Sequence, residues 1–227
     1  MIPIREFRYE VAPDTPQCPG AMIDKAILNA AIEFCVYTLT WTKHLYPAKV
    51  REDVAEYQLM VPGCALIDSV KFAQHNDIEI RPTTEQWLNS NAESWRPATA
   101  NQVTHFYLSE RDMIRLYPIP TETAAKALDV VVVLKPERGA QELEDKLYND
   151  HLEAIGHGAL HRLKAMPGKP WTDVKTVKYH AEMFDKMKRD EKQARINDYT
   201  RGSKAAFMPV NYCGYGRRRT GWSENDA

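Results

Sequence analysis

Little in this sequence is arranged for covalent or metal chemistry. The four cysteines, Cys18, Cys35, Cys64 and Cys213, are widely scattered and no CxxC pair occurs, so neither a zinc ribbon nor a thioredoxin-type motif is supported. Free, reduced thiols of an intracellular protein are the expectation. There is no GxxxxGKS or GxxxxGKT and no GxSxG, which leaves P-loop nucleotide hydrolysis and nucleophile-elbow esterase chemistry without support. No apolar run approaches the roughly 20 residues of a membrane span. The opening MIPIREFRYE is charged and lacks the apolar stretch of a signal peptide. The chain is therefore expected to be made in a cytosol, to stay soluble without a membrane partner, and to carry no cofactor.

What is present is a charge asymmetry. The 227 residues nearly balance at a formal net charge of −1, but residues 1–150 hold 15 basic and 22 acidic side chains, and residues 151–227 hold 15 basic and 9 acidic. Such a split suggests that the two ends face different neighbours.

Hydrophobic periodicity divides the chain. Residues 1–19, with Pro3, Pro13, Pro16 and Pro19, read as an irregular arm. Ile23, Ala26, Ile27, Ala30 and Phe34 recur at three- and four-residue steps and predict a helix from about Gly20 to Thr38. From about Trp41 to Leu134 the period changes to two. Tyr57/Leu59, Val70/Phe72, Ile78/Ile80, Phe106/Leu108 and Ile114/Leu116 alternate, with a hairpin turn at Asn76-Asp77 and a turn at SERD, residues 109–112. TTEQWL, residues 83–88, reads as a short helix opened by a threonine cap with Gln86 in the box position. Pro118 and Pro120 are expected to end a strand. LDVVVVLK, residues 128–135, is apolar on both faces and should lie covered on both sides.

Helical periodicity returns at about Glu142 and runs to Met166 through Leu143, Leu147, Ile155, Ala159 and Leu163. Pro167-Gly168 breaks it. A last helix, from about Thr172 to Asn197, would be roughly 40 Å long. Its apolar positions thin out after Met187 into KRDEKQAR, which should project past the core. The expected fold is α+β: a helical bundle of the first helix and two long C-terminal helices, with an inserted all-β sandwich or barrel-like domain and an extended C-terminal arm. The corresponding divisions are residues 1–40, 41–138, 139–198 and 199–227.

Three features invite a chemical reading. HGALH places His157 and His161 four residues apart, with Glu153 on the same stripe, a spacing that can share a metal. The glutamate that follows the first histidine in zinc proteases is replaced by Gly158. An exposed polar face, or one turned to a partner, is the preferred reading, and Gly156 is read as a site of close helix approach. Trp41, Trp87, Trp95 and Trp171 are assigned to core or rim packing. No catalytic pair emerges from the carboxylates.

The strongest signal lies at the end. From Lys186 to Arg219 there are ten basic and three acidic residues, interleaved with Tyr199, Phe207, Tyr212 and Tyr215. Arginines on phosphates and tyrosines stacked on bases would suit nucleic acid. An arm that orders against a protein through aromatic and arginine anchors fits equally well by composition.

Several stretches together resemble a known family, the head-to-tail adaptor (connector) proteins of tailed bacteriophages, related to the tail tubular protein A group of short-tailed phages. They are CPGAMIDKAILNAAIEFC after a proline-rich start, RLYPIP followed by a strand ending VVVLKP, GALHRLKAMPGKPW, and a helix with YHAEMF. The resemblance implies a structural virion protein at the neck, not an enzyme. It implies a homo-dodecameric ring under the portal protein, an extended channel for genomic double-stranded DNA without sequence-specific binding, and a platform for a tail or nozzle protein of the tail tubular protein B kind. It also implies a C-terminal extension that reaches the portal. On that basis Lys204, Phe207, Tyr212, Tyr215, Arg217, Arg218 and Arg219 become candidate portal-docking residues. The alternatives are DNA binding by the basic tail and an adaptor with added peptidoglycan hydrolase activity.

Overall fold

The computed structural model describes residues 1–61 and 63–196, apart from the side chains of Tyr46 and Pro47. The first correction to the sequence reading comes at once. A two-residue strand β1 (Ile2–Pro3) leads into a helix α1 (Ile4–Val11) and a 3-10 turn (Ala12–Asp14), where an irregular arm was expected. Ile4, Phe7 and Val11 are buried, so α1 is amphipathic. Two turns offer only three such positions, too few to read as a period, and the flanking prolines mark the ends of the helix rather than its absence.

Helix α2 (Gly20–Thr38) follows as expected. Arg8 of α1 donates two hydrogen bonds to the Asp24 carboxylate, at 2.6 and 2.5 Å, and ties the two helices. The strands then run β2 (Thr42–Val50), β3 (Glu56–Gln58), β4 (Ala65–His75), β5 (Ile78–Glu79) and β6 (Arg81–Pro82). Helix α3 (Glu85–Asn91) precedes β7 (Thr99–Ala100), β8 (His105–Glu110), β9 (Met113–Tyr117), β10 (Ile119–Pro120), β11 (Ala124–Pro136) and β12 (Glu142–Leu143). The chain returns to helix in α4 (Asp145–Lys164) and α5 (Val174–Ile196).

Two four-stranded sheets form, in the orders β2-β11-β4-β5 and β3-β9-β8-β6. They are joined where the chain passes from β5 to β6. The Ile80 N–H donates to Ala73 O at 3.0 Å in the first sheet, and the Arg81 N–H donates to Thr104 O at 2.9 Å beside the second. The chain thus switches from one sheet to the other at Ile80. Asn76 and Asp77 both take positive φ, 52° and 63°, as a two-residue hairpin turn of the primed type requires. The α3 cap is Thr84, whose Oγ1 accepts the Trp87 N–H at 3.1 Å. The box position for that cap is Trp87 rather than Gln86. Pro118 follows the end of β9 as expected, whereas Pro120 belongs to β10, paired in parallel with β7. β11 runs through the middle of the first sheet, and Val132, Val133 and Leu134 are all buried.

Helices α2, α4 and α5 pack on one another, α1 lies against α2 and α4, and α2 also covers β11. Bundle and sheets therefore share one buried cluster, from Phe7 and Phe34 through Leu134 to Ile114. Two glycines of α4 set the helix spacing. A Cβ on Gly156 would lie 2.5 Å from Glu10 Cγ of α1, and one on Gly158 would lie 2.9 Å from both Ala30 of α2 and the Phe184 ring of α5. Helix α4 starts three residues later than expected and breaks its dihedrals at His151 (φ −134°, ψ 16°).

Candidate docking surfaces

The candidate docking residues Lys204, Phe207, Tyr212, Tyr215, Arg217, Arg218 and Arg219 lie outside the described residues. What the fold supplies is the helix that leads to them. α5 has 23 residues, a length of about 34 Å. The expectation that its charged end projects past the core is corrected. Thr40 Oγ1 donates to Glu191 at 2.8 Å, and Arg195 donates to Thr42 Oγ1 at 3.3 Å. Lys192 sits 4.6 Å from the Tyr37 ring centre. The last turns are held by polar and cation–π contacts, so the segment looks solvated in a hydrophobicity pattern although it is packed.

One turn earlier, Lys188 is buried and donates to Glu33 at 2.5 Å, pairs with Asp185 at 2.8 Å and lies 4.4 Å from the Phe184 ring centre. Arg162 of α4 also pairs with Glu33. Burial pushes the Glu33 carboxyl up, but the Lys188 ammonium and the Arg162 guanidinium outweigh it and hold Glu33 below its ordinary value. Burial likewise pulls Lys188 down, and Asp185 with Glu33 reverses it. This cluster fastens α2, α4 and α5 to one another, so the route to the C-terminal segment starts from a rigid base.

The histidine stripe of α4 faces α5, not solvent. His157 Nδ1 lies 2.8 Å from His180 Nδ1, and the buried Lys164 Nζ lies 3.3 Å from His180 Nε2. Glu153 is 3.9 Å from His157, and His161 stacks on Phe184 with ring centres 6.3 Å apart. The partner surface considered for this stripe is thus the protein's own last helix. Burial, with Lys164 and His157 beside it, holds His180 below its ordinary value, and burial does the same to His161. Among the described residues no three metal-ligating side chains are grouped to hold an ion.

Two concave surfaces flank α5. A groove of about 510 Å³ beside its end is lined by Leu39, Val70, Val133, Lys192, Arg195 and Ile196. A larger cleft of about 690 Å³ opens between α4 and α5. Its floor is Phe34, Ala154, Met187 and Ala194, and its rim carries Asp150, Glu153, Asp190 and Glu191 against Lys146. The His151 ring forms one wall, tilted on Phe34 at 4.8 Å, with its Nε2 3.7 Å from Glu191. Burial holds that imidazole below its ordinary value, so it adds no charge to the rim at neutral pH.

On the opposite flank of α4, α1 turns an unburied stripe outward. Arg5, Tyr9 and Ala12 are exposed at helical spacing, with Tyr9 at 79%. The sequence reading missed this stripe because it missed the helix. Trp41, Trp95 and Trp171 are buried as assigned, and Trp87 is 44% exposed, stacked on His105. Cys18, Cys35 and Cys64 are unpaired thiols. No helix among the described residues is long and apolar enough to cross a membrane.

A family model described as SU10 adaptor protein matches residues 4–206. The match begins at the first residue of α1, takes in every helix of the described residues, and ends one residue before Phe207. No curated protein matches the chain.

Proposed function

Because this chain belongs to the SU10 adaptor protein family, a family of phage structural adaptors, we propose that it assembles as a twelve-membered ring beneath the portal protein. The ring extends the channel through which the double-stranded genome passes and offers a platform to the next tail component. The observation that carries this reading is the match over residues 4–206 together with the bundle-and-sheet fold those residues adopt.

The C-terminal segment is assigned to portal docking. Lys204, Phe207, Tyr212, Tyr215 and Arg217–Arg219 combine aromatic bulk with arginine forks, the residue types that dominate interface energetics. A short segment that must order on binding holds weakly by itself. Twelve such segments on one closed ring share a single assembly, and the effective concentration within it makes each later contact cheaper. The near-neutral overall charge suits a conduit, since dense phosphate binding would retain DNA. The β-sheets are the surface assigned to the tail-side partner.

The test is electron microscopy of the purified protein mixed with the portal protein of the same phage. A twelve-fold ring capping the portal is the expected result. A portal that stays bare while itself well formed would overturn the reading. Salt-sensitive DNA affinity lost with Arg217–Arg219 would then identify the tail as a nucleic-acid contact.

A further inference from the structure

We propose that the acidic cleft between α4 and α5 is the socket for a second copy of this chain, and that the plug is the outward stripe of α1, Arg5 and Tyr9. This rests on the ring reading above and states which surfaces would make the ring.

Three observations support it. The first is chemical complementarity. The cleft has an apolar floor of Phe34, Ala154, Met187 and Ala194 under the carboxylates of Asp150, Glu153 and Asp190. Arg5 and Tyr9 stand one helical turn apart on α1, with the Arg5 side chain 73% exposed and Tyr9 79% exposed. An aromatic ring fits the floor, and a guanidinium four residues before it meets the rim. Arginine is suited to this rim because its planar fork pairs with carboxylates at two points.

The second is placement. Gly156 of α4 meets α1, and Gly158 meets α2 and α5. Two residues of helix separate them by roughly 200°, so α1 and α5 contact different sides of α4. Plug and socket are therefore different faces of one molecule. Such a contact is heterologous, and repeated copies either close into a ring or run on as a filament.

The third is rigidity. The socket wall on α5 is fixed by the Lys188–Glu33–Arg162 cluster, and the plug is fixed by the Arg8–Asp24 pair and by Phe7 against Tyr148. Both surfaces are set before the copies meet, which limits the ordering cost of association.

The test uses the full chain on portal rings. Arg5→Glu and Tyr9→Ala, both at exposed positions, should leave thermal unfolding unchanged and lower ring occupancy roughly tenfold or more. Adding Glu153→Lys to Arg5→Glu should restore much of the loss, because the charge pair is re-made in reverse. Single variants that assemble like the wild type would overturn the contact while leaving the ring reading intact. If the wild type forms no ring on the portal, sedimentation of the protein alone at high concentration still decides. Self-association weakened by Arg5→Glu and rescued by Glu153→Lys supports the contact without the portal. A strictly monomeric wild type, or association indifferent to both residues, overturns it.

Discussion

Gly158 shows how much one missing carbon can decide. The position looks like a lost catalytic glutamate when HGALH is compared with a zinc-protease helix. In the fold it is a tight crossing of α2, α4 and α5, with Ala30 and the Phe184 ring both 2.9 Å from where a Cβ would sit. Alanine would gain about 1 kcal/mol of helix propensity but would overpack the crossing, which costs about 1–3 kcal/mol. The two helices cannot yield locally, because Lys188 and Glu33 pin them beside the contact. Gly158→Ala is therefore expected to lower the urea midpoint. Gly139→Ala, at a position with open space around it, should not. Equal midpoints for the two would mean the crossing is looser than the geometry indicates.

The histidines give the protein a pH dependence of definite sign. Burial holds His75, His105, His151, His161 and His180 below their ordinary value. The folded protein therefore binds fewer protons than the unfolded chain once the pH drops below about 6.5. Their contribution to stability is complete above that value and declines as the pH falls toward their depressed folded values. Glu33, also held low by Lys188 and Arg162, adds a second loss only at carboxylate pH, below its ordinary value of 4.5. The melting temperature should thus fall on acidification from pH 7.5 to 5.5. His180→Gln should flatten that fall. A melting temperature constant over this interval would contradict the burial of these rings.

At the scale of elements, α1 is the instructive one. Its three buried residues are the whole of its inner face, and Phe7 meets Tyr148 of α4 edge-on at 5.2 Å. Truncating a buried phenylalanine costs about 3–5 kcal/mol. Phe7→Ala should therefore destabilise the whole protein rather than merely fray its start, because α1 also braces the close approach at Gly156. Hydrogen exchange can check this, with protection lost in α4 and α2 as well as α1. Loss confined to residues 1–14 would make α1 an appendage. The end of α5 teaches the converse. Its packing runs through Glu191, Lys192 and Arg195, residues that a pattern of apolar positions assigns to solvent.

At the scale of the whole molecule, the described residues close a single buried cluster without residues 200–227. Deleting that segment should leave the melting temperature and circular dichroism unchanged while abolishing ring assembly on the portal. Normal assembly of the truncated protein would remove the docking role assigned to it. An unfolded truncation would show that the segment serves the core instead.

The long periodic stretches were legible from residue order alone. An apolar stripe at three- and four-residue steps can be buried only as a helix face, so α2, α4 and most of α5 could be placed. The alternation of period two, the Asn76-Asp77 turn and the doubly apolar run in β11 likewise determined an α+β chain with strands between helices. Tertiary structure decided the rest, because those outcomes depend on contacts between residues far apart in sequence. The helical state of residues 4–11 rests on α2 and α4 being there to cover three side chains. The burial of the His157 stripe rests on α5 returning across it. The path of the two sheets rests on the crossing at Ile80, and the cleft between α4 and α5 exists only once Phe34, from a third helix, forms its floor. Local chemistry sets which shapes a segment can take, and long-range packing selects among them.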